Sequence, residues 1–205
     1  MEKEKKTVLF VNACVHGAES RTQRIADIFL KETEKCFPQA SITERNLMLL
    51  NPLFLNYFSF KQREELLSQG KYDHFNFDLA NEFARADAIV IAAPFWDLSF
   101  PAVLRTYFEN VSIPGISFNT TAQGYEGLCK AKVLVYITTR GGDYSRPPLS
   151  EYEMGERYIR ALNKIFGIGR FECVSADGFD LDGADTELLM RQAEEKALEA
   201  ARRLL

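Results

Sequence analysis

An open parallel β-sheet covered on both faces by helices is the fold this sequence predicts, and three observations predict it. Short β-rich apolar runs alternate with helical stretches five times along 205 residues. The runs at 7–11, 88–93 and 131–138 are almost continuously apolar, as strands buried on both faces must be. No internal repeat or low-complexity linker breaks the alternation, so residues 1–205 read as one α/β domain.

The elements follow in order. Residues 7–11 form a first strand, and a loop over 12–19 leads to Ser20, which caps a helix. That helix turns Ile25, Ile28, Phe29 and Cys36 inward and stops before Pro38. Residues 41–46 alternate weakly and give a shorter second strand. The stretch 47–71 is aromatic and irregular, with Pro52, Tyr57, Phe58 and Phe60, and is expected to hold a loop and a short helix. Residues 77–86 read as a helix. Ala88-Ile89-Val90-Ile91-Ala92-Ala93 is the plainest buried strand and ends at Pro94. Pro101 suits the first turn of a helix over 102–110, where an N–H is not needed. A loop or small hairpin is expected over 113–128. A fourth strand, 131–138, runs into Thr139-Arg140-Gly141-Gly142. A helix over 151–166, a fifth strand over 170–176 and a terminal helix over 185–205 complete the chain. The last helix is expected to bury Leu188, Leu189, Ala193, Ala197 and Leu204. Five such units suit a flavodoxin-like doubly wound sheet of strand order 2-1-3-4-5, with helices on both faces.

Composition removes several function classes. A hydrophobic content of 46% suffices for one buried core. A net charge of −4 argues against a nucleic-acid partner, whose phosphates call for a basic surface. The start Met1-Glu2-Lys3-Glu4-Lys5-Lys6 is charged and lacks a signal peptide's apolar core. No window approaches the ~18 apolar residues of a membrane span. A cytoplasmic protein without a membrane partner is therefore expected. Cys14, Cys36, Cys129 and Cys173 are far apart, and the histidines are His16 and His74 alone, so neither a disulfide framework nor a metal site is expected.

Open α/β sheets bind ligands outside the carboxyl ends of their strands, near the point where strand order reverses. Three loops occupy that position. In the first, Ser20-Arg21-Thr22 brings two hydroxyls and a guanidinium to a helix N-terminus, a cradle for phosphate; a plain helix cap uses the same residues. Neither G-x-G-x-x-G nor G-x-x-x-x-G-K-[ST] is present, which disfavours a dinucleotide site or a P-loop. The second loop, Pro94-Phe95-Trp96-Asp97-Leu98-Ser99-Phe100, carries three aromatics beside a buried strand. A flat heteroaromatic ligand would account for them, as would a subunit interface. In the third, Thr139-Arg140-Gly141-Gly142, paired glycines allow main-chain N–H groups to approach a planar ligand.

These segments, together with Tyr107-Phe108-Glu109-Asn110-Val111 and Gly127-Leu128, resemble the FMN-dependent NAD(P)H:quinone oxidoreductase and azoreductase family over nearly the whole chain. The resemblance implies a homodimer that binds FMN and passes hydride from NADH or NADPH to the flavin and then to a quinone-like or azo-like small molecule. It implies phosphate contacts at Ser20, Arg21 and Thr22, and an earlier loop contact at Cys14. It implies flavin-ring contacts along Pro94, Phe95, Trp96, Asp97 and Leu98, and along Thr139, Arg140, Gly141 and Gly142. No catalytic side chain is implied, because the cofactor carries the chemistry. Gly141 and Gly142 N–H groups are expected to stabilise the negative charge of reduced flavin, and Arg140 is a candidate for the extra phosphate of NADPH. Trp96, Asp97 and Thr120 depart from residues frequent in the family, and Thr120 weakens the expectation of azo reduction.

Three other functions share parts of this pattern. A tyrosine-phosphatase loop needs five residues between cysteine and arginine, whereas six separate Cys14 from Arg21. A flavodoxin-type electron carrier and a flavin-free scaffold share the fold without NAD(P)H turnover. Finally, Cys14 sits where a helix N-terminus is expected to lower a thiol pKa.

Overall fold

A computed structural model of the chain describes residues 5–205; the charged start, residues 1–4, lies outside the described residues. In chain order the elements are β1 (Thr7–Asn12), α1 (Arg21–Cys36), β2 (Ser41–Asn46), α2 (Leu47–Leu50) and α3 (Tyr57–Ser68). Then come α4 (Asp78–Arg85), β3 (Ala88–Ala92), α5 (Ala102–Val111), β4 (Phe118–Thr121), β5 (Gly124–Gly127), β6 (Val133–Thr139), α6 (Gly155–Ile165), β7 (Arg170–Ala176) and α7 (Thr186–Ala201). The five-stranded sheet has the order β2-β1-β3-β6-β7, all pairs parallel. With the separate β4–β5 hairpin set aside, this is the expected 2-1-3-4-5.

Period-two alternation sorts the strand residues into two cores. Val8, Phe10, Val90 and Val135 face Ile25 and Phe29 of α1 and Met190, Ala193 and Ala197 of α7. Leu9, Val11, Ile89, Ile91, Leu134 and Tyr136 face Phe83 of α4, Leu104 and Phe108 of α5, and Ile159 of α6. Each such fully buried side chain contributes about 1.5–3 kcal/mol. The central strands read as unbroken apolar runs because both faces are covered. Edge strand β2 is only partly covered, and its sequence alternates weakly for that reason.

Several boundaries and orientations differ from the expectation. The irregular 47–71 stretch holds two helices; α3 is locked by a capping box between Asn56 and Ser59. The sixth helix starts at Gly155 rather than 151, because the Glu153 carboxylate accepts the Glu156 N–H at 2.9 Å and fixes the first turn there. Leu188 is exposed, not inward. Asp185 caps α7 by accepting the Leu188 N–H at 2.9 Å, and the buried stripe then runs through Met190, Ala193, Ala197 and Ala200. Cys36 is exposed in the last turn of α1, while Thr22, Ala26 and Thr33 join Ile25 and Phe29 on its buried face.

At the opposite end of the sheet from the loops considered below, Asp87 is buried where β3 begins. Burial works against its charge. The Thr7 N–H at 2.9 Å and the ammonium groups of Lys6 at 3.1 Å and Lys130 at 3.2 Å outweigh it and hold the carboxyl down to about 2. A depressed folded-state pKa gives stability that is present above the unfolded value, near 3.8, and lost as pH falls through about 2. Asp87→Asn is expected to lower unfolding stability at pH 7 by about 2 kcal/mol. Urea titrations should show the gap between the two proteins narrowing from pH 4 down to pH 2. An equal gap at every pH would show that the carboxylate charge is not the stabilising element.

Candidate active site

In the sheet, Asn12, Ala92 and Ile137 lie side by side, and Ile137 pairs with Val174. β1 and β3 therefore end level, β6 and β7 run on to Thr139 and Ala176, and main-chain bonding continues past these ends. Ala13 donates to Ala92 at 2.8 Å, Ala93 to Ile137 at 3.1 Å, Phe95 to Thr139 at 3.1 Å and Arg140 to Ala176 at 2.9 Å. These bonds hold the three expected loops against one another and bring in a fourth, residues 177–185.

On the first loop, Ser20 is the N-cap of α1 and accepts the Gln23 N–H at 3.3 Å. Ser20 and Arg21 line a hollow of about 360 Å³ with His16, Trp96, Phe95 and Gly141. Thr22 does not join them. It is fully buried, and its hydroxyl shares a 2.7 Å hydrogen bond with that of Thr139, which ties the first loop to the third. Cys14 also points inward: it is buried, its thiol lies 3.7 Å from the Ala92 carbonyl, and it lines no part of the hollow. The expectation of an acidified thiol is corrected. Burial pushes Cys14 up to about 12, and its hydrogen bond with Ser20 offsets only part of that.

The second loop is a two-residue hairpin turn. Trp96 and Ser99 exchange main-chain hydrogen bonds of 3.2 and 2.7 Å, with Asp97 at φ 47° and Leu98 at φ 66° between them. Both central residues are left-handed, as a type I′ turn demands, yet neither is glycine. That arrangement costs roughly 1–2 kcal/mol at a residue such as leucine. The Phe95 ring packs 4.5 Å from Tyr144, with the Arg140 guanidinium 5.7 Å from its centroid. Trp96 meets His16 edge-on at 5.8 Å. Asp97 does not cap α5, whose N-cap position is Pro101 without a side-chain cap. Instead Asp97 lines a second hollow, of about 370 Å³, with Phe95, Leu98, Gly141, Gly142 and Tyr144.

On the third loop, the N–H groups of Gly141 and Gly142 have no acceptor among the described residues. A Cβ on Gly141 would lie 2.2 Å from Asp180 Oδ2, so a side chain there would displace Asp180. Arg140 behaves differently from the expectation. Its guanidinium is 4% exposed and enclosed by Asp177 at 3.3 Å, Glu156 at 3.3 Å and Glu153 at 3.4 Å. It is not free to meet a nucleotide phosphate, and three carboxylates would repel one.

The fourth loop was missed in the sequence, although β7 ends level with β6 and the same strand-end rule applies to it. Phe179 lies 4.8 Å beneath the Arg21 guanidinium, and Asp180 pairs with Arg21 at 3.1 Å. Asp180, Phe95 and Gly141 line both hollows and join them. A wider hollow of about 630 Å³ lies between this loop and α7, but Asp143, Asp177, Asp182 and Asp185 line it and no aromatic ring does. The joined pair alone offers an anion-binding helix end, aromatic walls and free main-chain donors.

Residues 6–201 match the model of a family described by its flavodoxin-like fold. A protein of Clostridium acetobutylicum named FMN-dependent NADH:quinone oxidoreductase 2 is 40% identical over 197 residues, spanning 95% of this chain and 98% of that one. The chain belongs to this flavodoxin-like oxidoreductase family. A Clostridium perfringens relative named FMN-dependent NADH:quinone oxidoreductase is 36% identical over 96% of this chain and 98% of its own. Among solved structures, an azoreductase from Bacillus anthracis superposes with a TM-score of 0.88 at 25% identity, over 97% of this chain and all of that one. Membership explains why the three sequence loops and the missed fourth converge: the fold places all four at one sheet end.

Proposed function

We propose that this chain is an FMN-dependent oxidoreductase that takes electrons from NADH and delivers them to a quinone-like small molecule. The carrying observation is the joined hollow, which runs from the N-terminus of α1 at Ser20 and Arg21 to the aromatic and glycine wall at Phe95, Gly141 and Gly142. The relatives named FMN-dependent NADH:quinone oxidoreductase support the reading, and the azoreductase likeness extends it to azo-like acceptors.

The residues present fit FMN. Ser20, Arg21 and the first turn of α1 would hold a single phosphate, and Phe95 and Trp96 would flank the ring. The Gly141 and Gly142 N–H groups, half-buried and without an acceptor among the described residues, are donors available to a ligand. FMN, when bound, supplies the redox chemistry, accepting two electrons from NADH and returning them to the acceptor. The chain's own part is to hold and tune. Gly141 and Gly142 N–H groups favour negative charge at the ring hollow, and Asp97 opposes it. Phe95 packs against Tyr144 and the Arg140 guanidinium, contacts that help fix the wall. NADH is favoured over NADPH because the one cation offered for the additional phosphate, Arg140, is enclosed by carboxylates. The four unpaired cysteines suit a reducing cytoplasm.

Assembly as a homodimer belongs to the same reading. Phe54 is 69%, Tyr57 69% and Phe58 80% exposed on and before α3, and Leu49 on α2 is 84% exposed. Large apolar side chains exposed close together in sequence suit an interface, which usually takes up such surface.

Three measurements test these statements. Purified protein should bind FMN and not FAD, and anaerobic NADH should bleach the bound flavin, with added benzoquinone restoring its colour. FMN binding without bleaching would favour an electron carrier. Light scattering at micromolar concentration should give twice the 23.4 kDa chain mass; the monomer mass would remove the dimer. Asp97→Asn keeps a residue that tolerates a left-handed backbone while removing one negative charge from the ring hollow. The two-electron potential of bound FMN should rise by about 20 mV, the equivalent of about 1 kcal/mol. An unchanged or lowered potential would show that Asp97 does not act on the flavin.

A further inference from the structure

Arg21 is the cation at the mouth of the proposed phosphate cradle, and it already has a carboxylate partner. Its guanidinium nitrogen lies 3.1 Å from Asp180 Oδ1, and its plane covers the Phe179 ring at 4.8 Å. The other guanidinium lining that hollow, Arg140, is 4% exposed, and its two terminal nitrogens are taken by three buried or half-buried acids. Arg21 alone remains for an incoming anion. Asp180 is placed by the backbone rather than by chance: its N–H donates to the Gly141 carbonyl at 2.9 Å, and its Oδ2 fills the space beside the Gly141 Cα. The Arg21–Asp180 pair is also exposed, with side chains 47% and 70% accessible, so the contact is weak and easily exchanged.

We propose that Asp180 sets the affinity of this site for a phosphate monoester by competing with the phosphate for Arg21. The inference rests on the reading that FMN phosphate binds at Ser20 and Arg21. A phosphate at the α1 N-terminus gains charge-assisted bonds from Arg21 and from first-turn N–H groups. Asp180 offsets that gain twice: its own bond to Arg21 must loosen, and its charge then stands beside the dianion. A flavin without the phosphate meets neither cost. Asp180 also lines the ring hollow, where any effect is common to both flavins, but only the phosphate meets these two costs, so Asp180 lowers the selectivity for FMN over riboflavin that the cradle would otherwise reach.

Fluorescence titrations of FMN and of riboflavin test this on the full chain, with wild type, Asp180→Asn, Arg21→Ala and the double variant. Asp180→Asn should tighten FMN by about three- to tenfold, the range expected for one partly screened charge, and leave riboflavin within about twofold. Arg21→Ala should weaken FMN, and in that background Asp180→Asn should gain clearly less, the coupling that a double-mutant cycle reads. The proposal is overturned if Asp180→Asn weakens both flavins, which would make the carboxylate an acceptor for ribityl hydroxyls. It is overturned equally by the same gain with and without Arg21, which would leave plain repulsion and no competition. If Arg21→Ala and Ser20→Ala both leave FMN binding unchanged, the phosphate assignment itself fails, an outcome distinct from the other two.

Discussion

The site depends on the sheet's hydrogen bonding running past its own last residues. Ala13, Ala93, Phe95 and Arg140 each donate to the neighbouring strand or loop after the strands proper have ended. Without those bonds, only a few side-chain contacts, such as Trp96 on His16 and Phe95 on Tyr144, would join the three loops. With them, the N-terminus of α1, the Trp96–Ser99 turn and the glycine pair are fixed at the spacing of adjacent strands, about 4.8 Å per step. A ligand that spans several strands meets a surface already in place, and little ordering remains to be done on binding.

Two polar contacts complete this rigidity from below. Thr22 and Thr139 share a buried hydrogen bond that links the first loop to the third. Arg140 draws Asp177, Glu153 and Glu156 together, so one guanidinium connects the fourth strand's end, the fifth strand's end and the start of α6. Burial disfavours its charge, yet the surrounding carboxylates hold it protonated above the ordinary arginine range. Such a cluster is a poor source of net stability, because desolvation consumes much of the attraction. Its evident product is geometry: Phe95 rests against the guanidinium, and Tyr144 takes its N–H partner from Asp177 at 3.1 Å.

Much of this architecture is legible in the sequence, and the failures have physical causes. Buried parallel strands announce themselves because both faces are covered, so residues 88–92 could hardly be anything else. Loop composition located Ser20, Phe95 and Gly141, since hydroxyls, rings and glycines have few reasons to crowd strand ends. Side-chain direction was not legible. Thr22 and Cys14 belong to the same short segment as Ser20, but one turn of helix or one residue of loop sends them inward. Arg140 looked like a ligand group because its partners lie 13, 16 and 37 residues away in sequence. Asp180 was missed because an aspartate in a glycine-rich loop has the composition of any turn, and only its contact with Arg21 distinguishes it.

The packing of α1 sets the order in which the molecule can be completed. The helix that presents Ser20 and Arg21 packs on the sheet beside α7, the last element, and Arg202 pairs with Glu32 of α1 at 2.8 Å. Its strand, β1, pairs with β3 some 80 residues later, as Val8 with Ala88. During synthesis the first-made helix of the site therefore waits for the last-made helix to cover the side that faces it. The hollows themselves are lined by residues from His16 to Leu181, so no ligand can hold this site together until about nine-tenths of the chain has been made.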